Sequence, residues 1–234
     1  MPAHALHDTL QRLDNAARQA GRPSPRLLAV SKFQPATAVA ELAAAWRTLL
    51  PGRPAFGENY VREAQAKQAE LADPELEWHL IGHLQSNKAR EAAALFDWVQ
   101  TVDRDKLVAA LAHHRDPARA PLNVLVQVNI DDEAGKHGCP PDAVPALAAA
   151  IAAQPRLLLR GLMAIPAPLP ELAQRRTAFA RMDALFRQLQ AMYPQVDTLS
   201  MGMSADAELA VAEGATMVRI GTALFGPRRR DPAI

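Results

Sequence analysis

A single cysteine, Cys139, stands in this 234-residue chain. No intramolecular disulfide can form, and a reducing compartment is the expected setting. The chain also lacks an excess of charge of either sign. Its 26 Lys+Arg against 25 Asp+Glu leave a formal net charge of +1, so no chain-wide field should gather nucleic acid or an acidic membrane. No apolar run approaches the roughly 20 residues that cross a bilayer. Residues 1–20 carry His4, His7, Asp8, Gln11, Arg12 and Asp14, which leaves no continuous apolar stretch for a secretory signal. A soluble, cytoplasmic protein is expected, with neither nucleic acid nor membrane as partner. Arg228, Arg229 and Arg230 form the one cationic cluster; a run that short reads as a solvated tail over 227–234. There is no low-complexity linker and no break in composition. One domain is therefore expected over 1–234, with its core at 6–226.

What the chain does have is apolar content, 49% of its residues, arranged in alternation. Short β-like runs fall at 27–32, 54–58, 77–82, 98–103, 123–130, 157–165, 196–201 and 216–222. Longer stretches with helical spacing fill most of the gaps. Val39, Leu42, Trp46 and Leu49 share one helix face, as do Phe179, Met182, Leu185, Phe186 and Leu189. Leu107, Val108 and Leu111 mark a further helix, and Ala-rich stretches at 143–153 and 205–213 are strong helix formers. An extra helix over 3–20 precedes the first strand. Such alternation predicts βαβ units and a parallel sheet. No G-x-G-x-x-G follows a strand, as an open dinucleotide-binding sheet would require. Eight units close instead into a (β/α)8 TIM-type barrel.

In such a barrel the active site lies at the C-terminal ends of the strands, with phosphate by the loops after strands seven and eight. Strand one reads LLAVSK, which puts Leu28, Val30 and Lys32 on one face with Lys32 last. An amine partly desolvated at a barrel mouth has a lowered pKa and suits Schiff-base chemistry; alone it also reads as a solvated lysine. Strand seven is expected to end at Ser200, with Ser204 as N-cap of the next helix. Strand eight places Met217, Arg219 and Gly221 on one face. A buried arginine needs a partner, either a protein carboxylate or a ligand atom. Gly221 admits close approach of backbone to a ligand, and the Gly221–Thr222 amides suit a phosphate. Together these strand ends fit an aldehyde that carries a phosphate, and pyridoxal 5′-phosphate is such a ligand.

At these residues the chain resembles the pyridoxal phosphate homeostasis protein family, the small relatives of the alanine racemase N-terminal barrel. The matching stretches are AVSK (29–32), FGENY (56–60), WHLIGHLQSNK (78–88), QVNI (127–130), RGLMAIP (160–166), SMGMS (200–204) and EGATMVRIGT (213–222). No one of them is specific; their number and order are. The resemblance implies that Lys32 holds the cofactor as a Schiff base. It also implies that Ser200, Gly221 and Thr222 bind its phosphate and that Arg219 faces the pyridine nitrogen. Asn59 is placed at the pocket edge. His79 and His83 read equally as pocket lining or as hydrogen-bonded structural histidines. Gln127 and Asn129 alternate with valines, so their amides are expected to point into the barrel. The family often has K-x-G-F where this chain has Lys136, His137, Gly138 and Cys139, a segment that reads as a surface loop.

A racemase of this fold draws its second base, a tyrosine, from a C-terminal domain of a partner subunit. Here only eight residues follow Gly226. Of two tyrosines, Tyr193 falls near a helix end, and Tyr60 is expected to face the helix after strand two. The expectation is thus a cofactor carrier, monomeric rather than dimeric, that acts in vitamin B6 homeostasis and serves apo-enzymes. A pyridoxal-phosphate-dependent racemase or lyase and a cofactor-free Schiff-base aldolase on a phosphosugar are the alternatives.

Overall fold

In a computed structural model, which describes residues 2–133, 135–167 and 171–226, eight parallel strands close into a barrel in chain order. They are β1 (Arg26–Val30), β2 (Ala55–Glu58), β3 (Glu77–Leu80), β4 (Trp98–Val102), β5 (Leu122–Val128), β6 (Leu157–Ala164), β7 (Thr198–Met203) and β8 (Met217–Ile220). Around them run α1 (Pro2–Gln19), α2 (Ala36–Leu49), α3 (Val61–Leu71), α4 (Ala89–Leu95), α5 (Asp105–His114), α6 (Val144–Ala152), α7 (Leu172–Met192), α8 (Ala207–Ala212) and the single-turn α9 (Thr222–Phe225). The expected barrel and its extra N-terminal helix are both present. The expected basic tail lies outside the described residues. Among those residues, no helix is long and apolar enough to cross a membrane.

The strands are apolar on both faces because helices cover one side and the barrel interior the other. In β5, Val124, Val126 and Val128 pack outward into the main core, while Leu125 joins Trp98 and Met163 in a separate cluster. Arg26 and Arg160 lie over the Trp98 ring, at 5.5 and 4.9 Å, near the N-terminal ends of the strands. Outside, Val39, Leu42 and Trp46 of α2 are buried, but Leu49, in the last turn of that helix, is exposed. Phe179 of α7 is fully buried; Phe179→Ala would cost about 3–5 kcal/mol by transfer and cavity terms together.

Strand ends deviate from expectation where they matter most. β1 stops at Val30, two residues before Lys32. β7 runs on to Met203, with a register shift between Ser200 and Met203 against β8. Gly202 makes the shift possible: its φ is +89°, and a Cβ there would lie 2.5 Å from that of Ala210. Asp206, not Ser204, takes the N-cap position of α8, and its carboxylate accepts the Met203 N–H at 2.6 Å.

Candidate functional site

Past β1 the chain turns sharply. Phe33 adopts φ +62°, a strained conformation for a bulky residue, at a cost on the order of 1–3 kcal/mol. A buried ion network holds the turn. The Lys67 ammonium, on α3, donates to the Ser31 carbonyl (2.6 Å) and to Oε1 of both Glu58 and Glu63 (2.7 Å each). The Ser31 hydroxyl donates to the same Glu58 oxygen at 2.6 Å, and the Phe33 N–H to Glu63 at 2.5 Å. Both neighbours of Lys32 are thus tied to one network, with half-buried Lys32 between them. Burial pushes the Glu58 carboxyl up, and the pull of Lys67 and Ser31 in the other direction does not overcome it.

Across the β1–β8 seam, Leu28 pairs with Arg219 and Ala29 with Ile220. Gly221 then passes so close to β1 that a Cβ on it would lie 3.3 Å from the Val30 carbonyl oxygen. The expectation that this glycine admits a ligand is therefore joined by a second demand, close packing of two strands. Thr222 follows, exposed, as the first residue of α9, where the opening N–H groups of a helix have no intrahelical acceptor.

Arg219 is 3% exposed. It donates to the Ser200 hydroxyl (2.7 Å) and to the Ala164 carbonyl (2.8 Å). Among the described residues no carboxylate pairs with it. Burial pushes its pKa down to about 10, against the weak pull of Asp206. Ser200 passes the hydrogen bond on to Gln100 Oε1 (2.7 Å), and Gln100 Nε2 reaches His79 Nδ1 (2.9 Å). His79 Nε2 lies 2.6 Å from Glu77, which Arg26 holds from below at 2.7 Å. Since Gln100 accepts through oxygen and donates through nitrogen, His79 must carry its proton on Nε2. The chain of donors then points one way, from Arg219 down to the Glu77 carboxylate. Burial keeps His79 neutral by lowering its pKa.

Several expectations are corrected by this geometry. Ser200 does not end β7: it is fully buried mid-strand, level with Met217, roughly 13 Å along the strand from Gly221. It supports Arg219 instead of standing beside Gly221 and Thr222. His79 is the structural histidine of its two readings, stacked on Trp98 at 5.1 Å. His83 is exposed and stacks on His137. Gln127 is buried inside as expected and donates to the His137 carbonyl at 3.4 Å, but Asn129 spends its amide on Glu133 in its own loop. Tyr60 does not face α3. It is 53% exposed, its ring 5.7 Å from Phe33. Lys136 to Gly138 form a loop with His137 exposed, as expected, but Cys139 at its end is buried and bridges to Val128 of β5. Asn59 lines a groove of about 530 Å³ together with Tyr60 and His83.

Glu58, Glu63, Lys67 and Gln100 escaped the sequence reading. A glutamate in a four-residue buried strand demands a partner by the same argument that singled out Arg219, and Glu63–Lys67 is a helical i,i+4 pair.

A closed parallel barrel with a lysine past its first strand and a buried arginine on its last is a barrel of the alanine racemase N-terminal kind, and the alanine racemase N-terminal domain family matches residues 4–229. The pyridoxal phosphate homeostasis protein of Pseudomonas aeruginosa is 53% identical over 219 residues, which cover 93% of this chain and 91% of that one. That of Escherichia coli K12 is 48% identical over 232 residues, 97% and 96% of the two chains. PipY of Synechococcus elongatus, solved with pyridoxal phosphate bound, superposes with a TM-score of 0.82 at 38% identity, covering 97% of this chain and all of PipY. This chain belongs to the pyridoxal phosphate homeostasis protein family.

Proposed function

We propose that the chain binds pyridoxal 5′-phosphate as a Schiff base on Lys32 and serves as a carrier in vitamin B6 homeostasis, as a monomer that delivers cofactor to apo-enzymes. One observation carries the reading: Arg219 is buried on neutral acceptors, one strand from Lys32. The donor set at this seam consists of an amine, a guanidinium, a hydroxyl and helix-opening amides. It suits a ligand that brings an aldehyde, a basic nitrogen and a phosphate. The relative PipY was solved with that ligand.

The cofactor, when bound, supplies an aldehyde that an amine captures reversibly. Lys32 is the amine, held at the mouth by the clamp on Ser31 and Phe33. Arg219 faces the ring nitrogen and opposes its protonation, since like charge disfavours charging. That weakens the ring as an electron sink and favours holding over turnover. Gly221 and Thr222 take the phosphate with their amides and hydroxyl. Ser204 joins them in place of Ser200, because the Met203–Arg219 register sets it beside this strand end. Asn59 borders the site from β2.

Borohydride reduction followed by peptide mass analysis tests the link: the expected adduct sits on Lys32, and an adduct elsewhere overturns the assignment. Transfer to an apo-enzyme, in the presence of a trap for free cofactor, tests delivery. The racemase or lyase reading keeps one observation, the exposure of Tyr60 at the rim. Amino-acid turnover lost in Tyr60→Phe would support it.

A further inference from the structure

We propose that His83, Asp103 and His137 form a binding site for a divalent transition metal, zinc(II) foremost, on the barrel rim. One ligand atom from each lies within 4.8 Å of the other two. The three residues come from three consecutive strand ends, after β3, after β4 and after β5. Lys32, Arg219 and Thr222 belong to the seam between β1 and β8, and of the residues assigned to the cofactor only Asn59 shares a groove with His83.

The donor set decides the class of ion. Two imidazole nitrogens and one carboxylate oxygen suit zinc, nickel and copper. Magnesium and calcium prefer oxygen throughout. Three protein ligands leave one tetrahedral position for water or another small ligand. The two imidazole rings stack at 3.7 Å between centroids and 13° between planes, and both are exposed, so an ion can enter from solvent. Two imidazolium rings at that separation would repel.

The backbones that carry the three side chains are fixed. The Gly82 carbonyl accepts from the Thr101 hydroxyl (2.9 Å), and the Leu84 carbonyl from Arg104 (3.0 Å), so His83 is held on both sides. Cys139 pairs its N–H with Gln127 and its carbonyl with Asn129, at 2.9 Å each, and the His137 carbonyl accepts from Gln127. Asp103 keeps its carboxylate mostly buried. Arg104 bonds its Oδ1 at 2.5 Å, which opposes a metal's charge but leaves a carboxylate its second oxygen.

Zinc(II) titration by calorimetry tests the site, using untagged protein in the Lys32→Ala background so that no lysine-bound aldehyde can chelate. One equivalent should bind with a Kd on the order of 1–10 µM near neutral pH. His83→Ala and His137→Ala should each weaken binding at least tenfold, and so should Asp103→Asn. His113→Ala and His114→Ala, which alter the other neighbouring histidine pair, should leave it unchanged. Copper(II) paramagnetic resonance on the unaltered chain gives a reading that needs no variant; coupling to two nitrogens is expected. A Kd weaker than about 1 mM, an all-oxygen copper spectrum, or affinity that survives loss of any one of the three residues would overturn the proposal.

Discussion

At the N-terminal end of the barrel Arg26, Arg53 and Arg160 each have a carboxylate, whereas at the C-terminal end Arg219 has none among the described residues. Arg26 pairs with Glu77 at 2.7 Å, Arg53 with Asp97 at 3.3 Å, and Arg160 with Asp197. Two of them also cover the Trp98 ring that plugs this end. Their groups are partly exposed, so each pair is worth no more than about 1 kcal/mol. They close the barrel. Arg219 is deeper than any of them, yet it rests on a hydroxyl and a carbonyl. Asp206 pulls on it only weakly, and its hydrogen bonds lead through Ser200, Gln100 and His79 to Glu77. The same side chain is thus paired with carboxylates at one end and rests on neutral acceptors at the end proposed to hold the cofactor, in line with the division of barrel faces into stability and function.

The sharpest way to break this contrast is to remove the amine. Lys32→Ala is expected to abolish the borohydride-fixable mass increment entirely while thermal unfolding stays near that of the parent. Retention of the adduct would move the site away from the β1–β8 seam.

Next in size is the clamp behind Lys32. Lys67→Met leaves the buried Glu58 beside the half-buried Glu63 without their cation, and should cost about 3–5 kcal/mol in urea unfolding. If the cost comes from stranded charge, adding Glu58→Gln and Glu63→Gln should recover a large part of it. A loss of this size would show that the functional end also holds a paired cation, spent on the turn and not on a ligand.

The closing end should announce itself in acid. Burial works against ionisation of Glu77, but the hydrogen bond from His79 and the Arg26 charge prevail and hold its carboxyl below the ordinary range. A folded value below the ordinary 4.5 means the stabilisation is complete above that pH and is lost as pH falls below it. His79 adds to the same limb from its ordinary 6.5 downward, because the unfolded chain takes up a proton that the buried ring refuses. Unfolding free energy measured against pH should fall more gently in Glu77→Gln than in the parent; equal slopes would remove Glu77 from the account.

Much of this was legible because it is local. Eight apolar runs and their helices are short-range patterns, and Lys32 and Arg219 stand out as single cations in apolar strands. The depth of Ser200 is not local: it depends on a register shift against β8 that Gly202 permits. Gln100 looked inert because its three partners, His79, Ser200 and Met217, lie on three other strands. The lysine clamp joins a strand, a turn and a helix, and neither period 2 nor period 3.6 reveals it. Tyr60 was misplaced for a related reason. It precedes α3 as the N-cap residue in extended conformation, so helical spacing says nothing about its direction.

The smallest expected effect decides most directly between the two kinds of arginine. Arg219→Met removes a buried charge that no carboxylate among the described residues pairs with, but it also leaves the Ala164 carbonyl and the Ser200 oxygen without their donor, which costs about 1–3 kcal/mol. The two terms oppose each other, so stability should change little while pyridoxal phosphate affinity falls about tenfold, or 1.4 kcal/mol. Arg160→Met should show the reverse pattern. It breaks contacts to Asp197 and Asn123, lowers stability by about 1 kcal/mol, and leaves affinity unchanged. Paired calorimetric titrations and urea melts on the two variants read both quantities at once. If Arg219→Met loses stability and keeps affinity, the buried arginine is one more element of closure, and the distinction between the two ends fails.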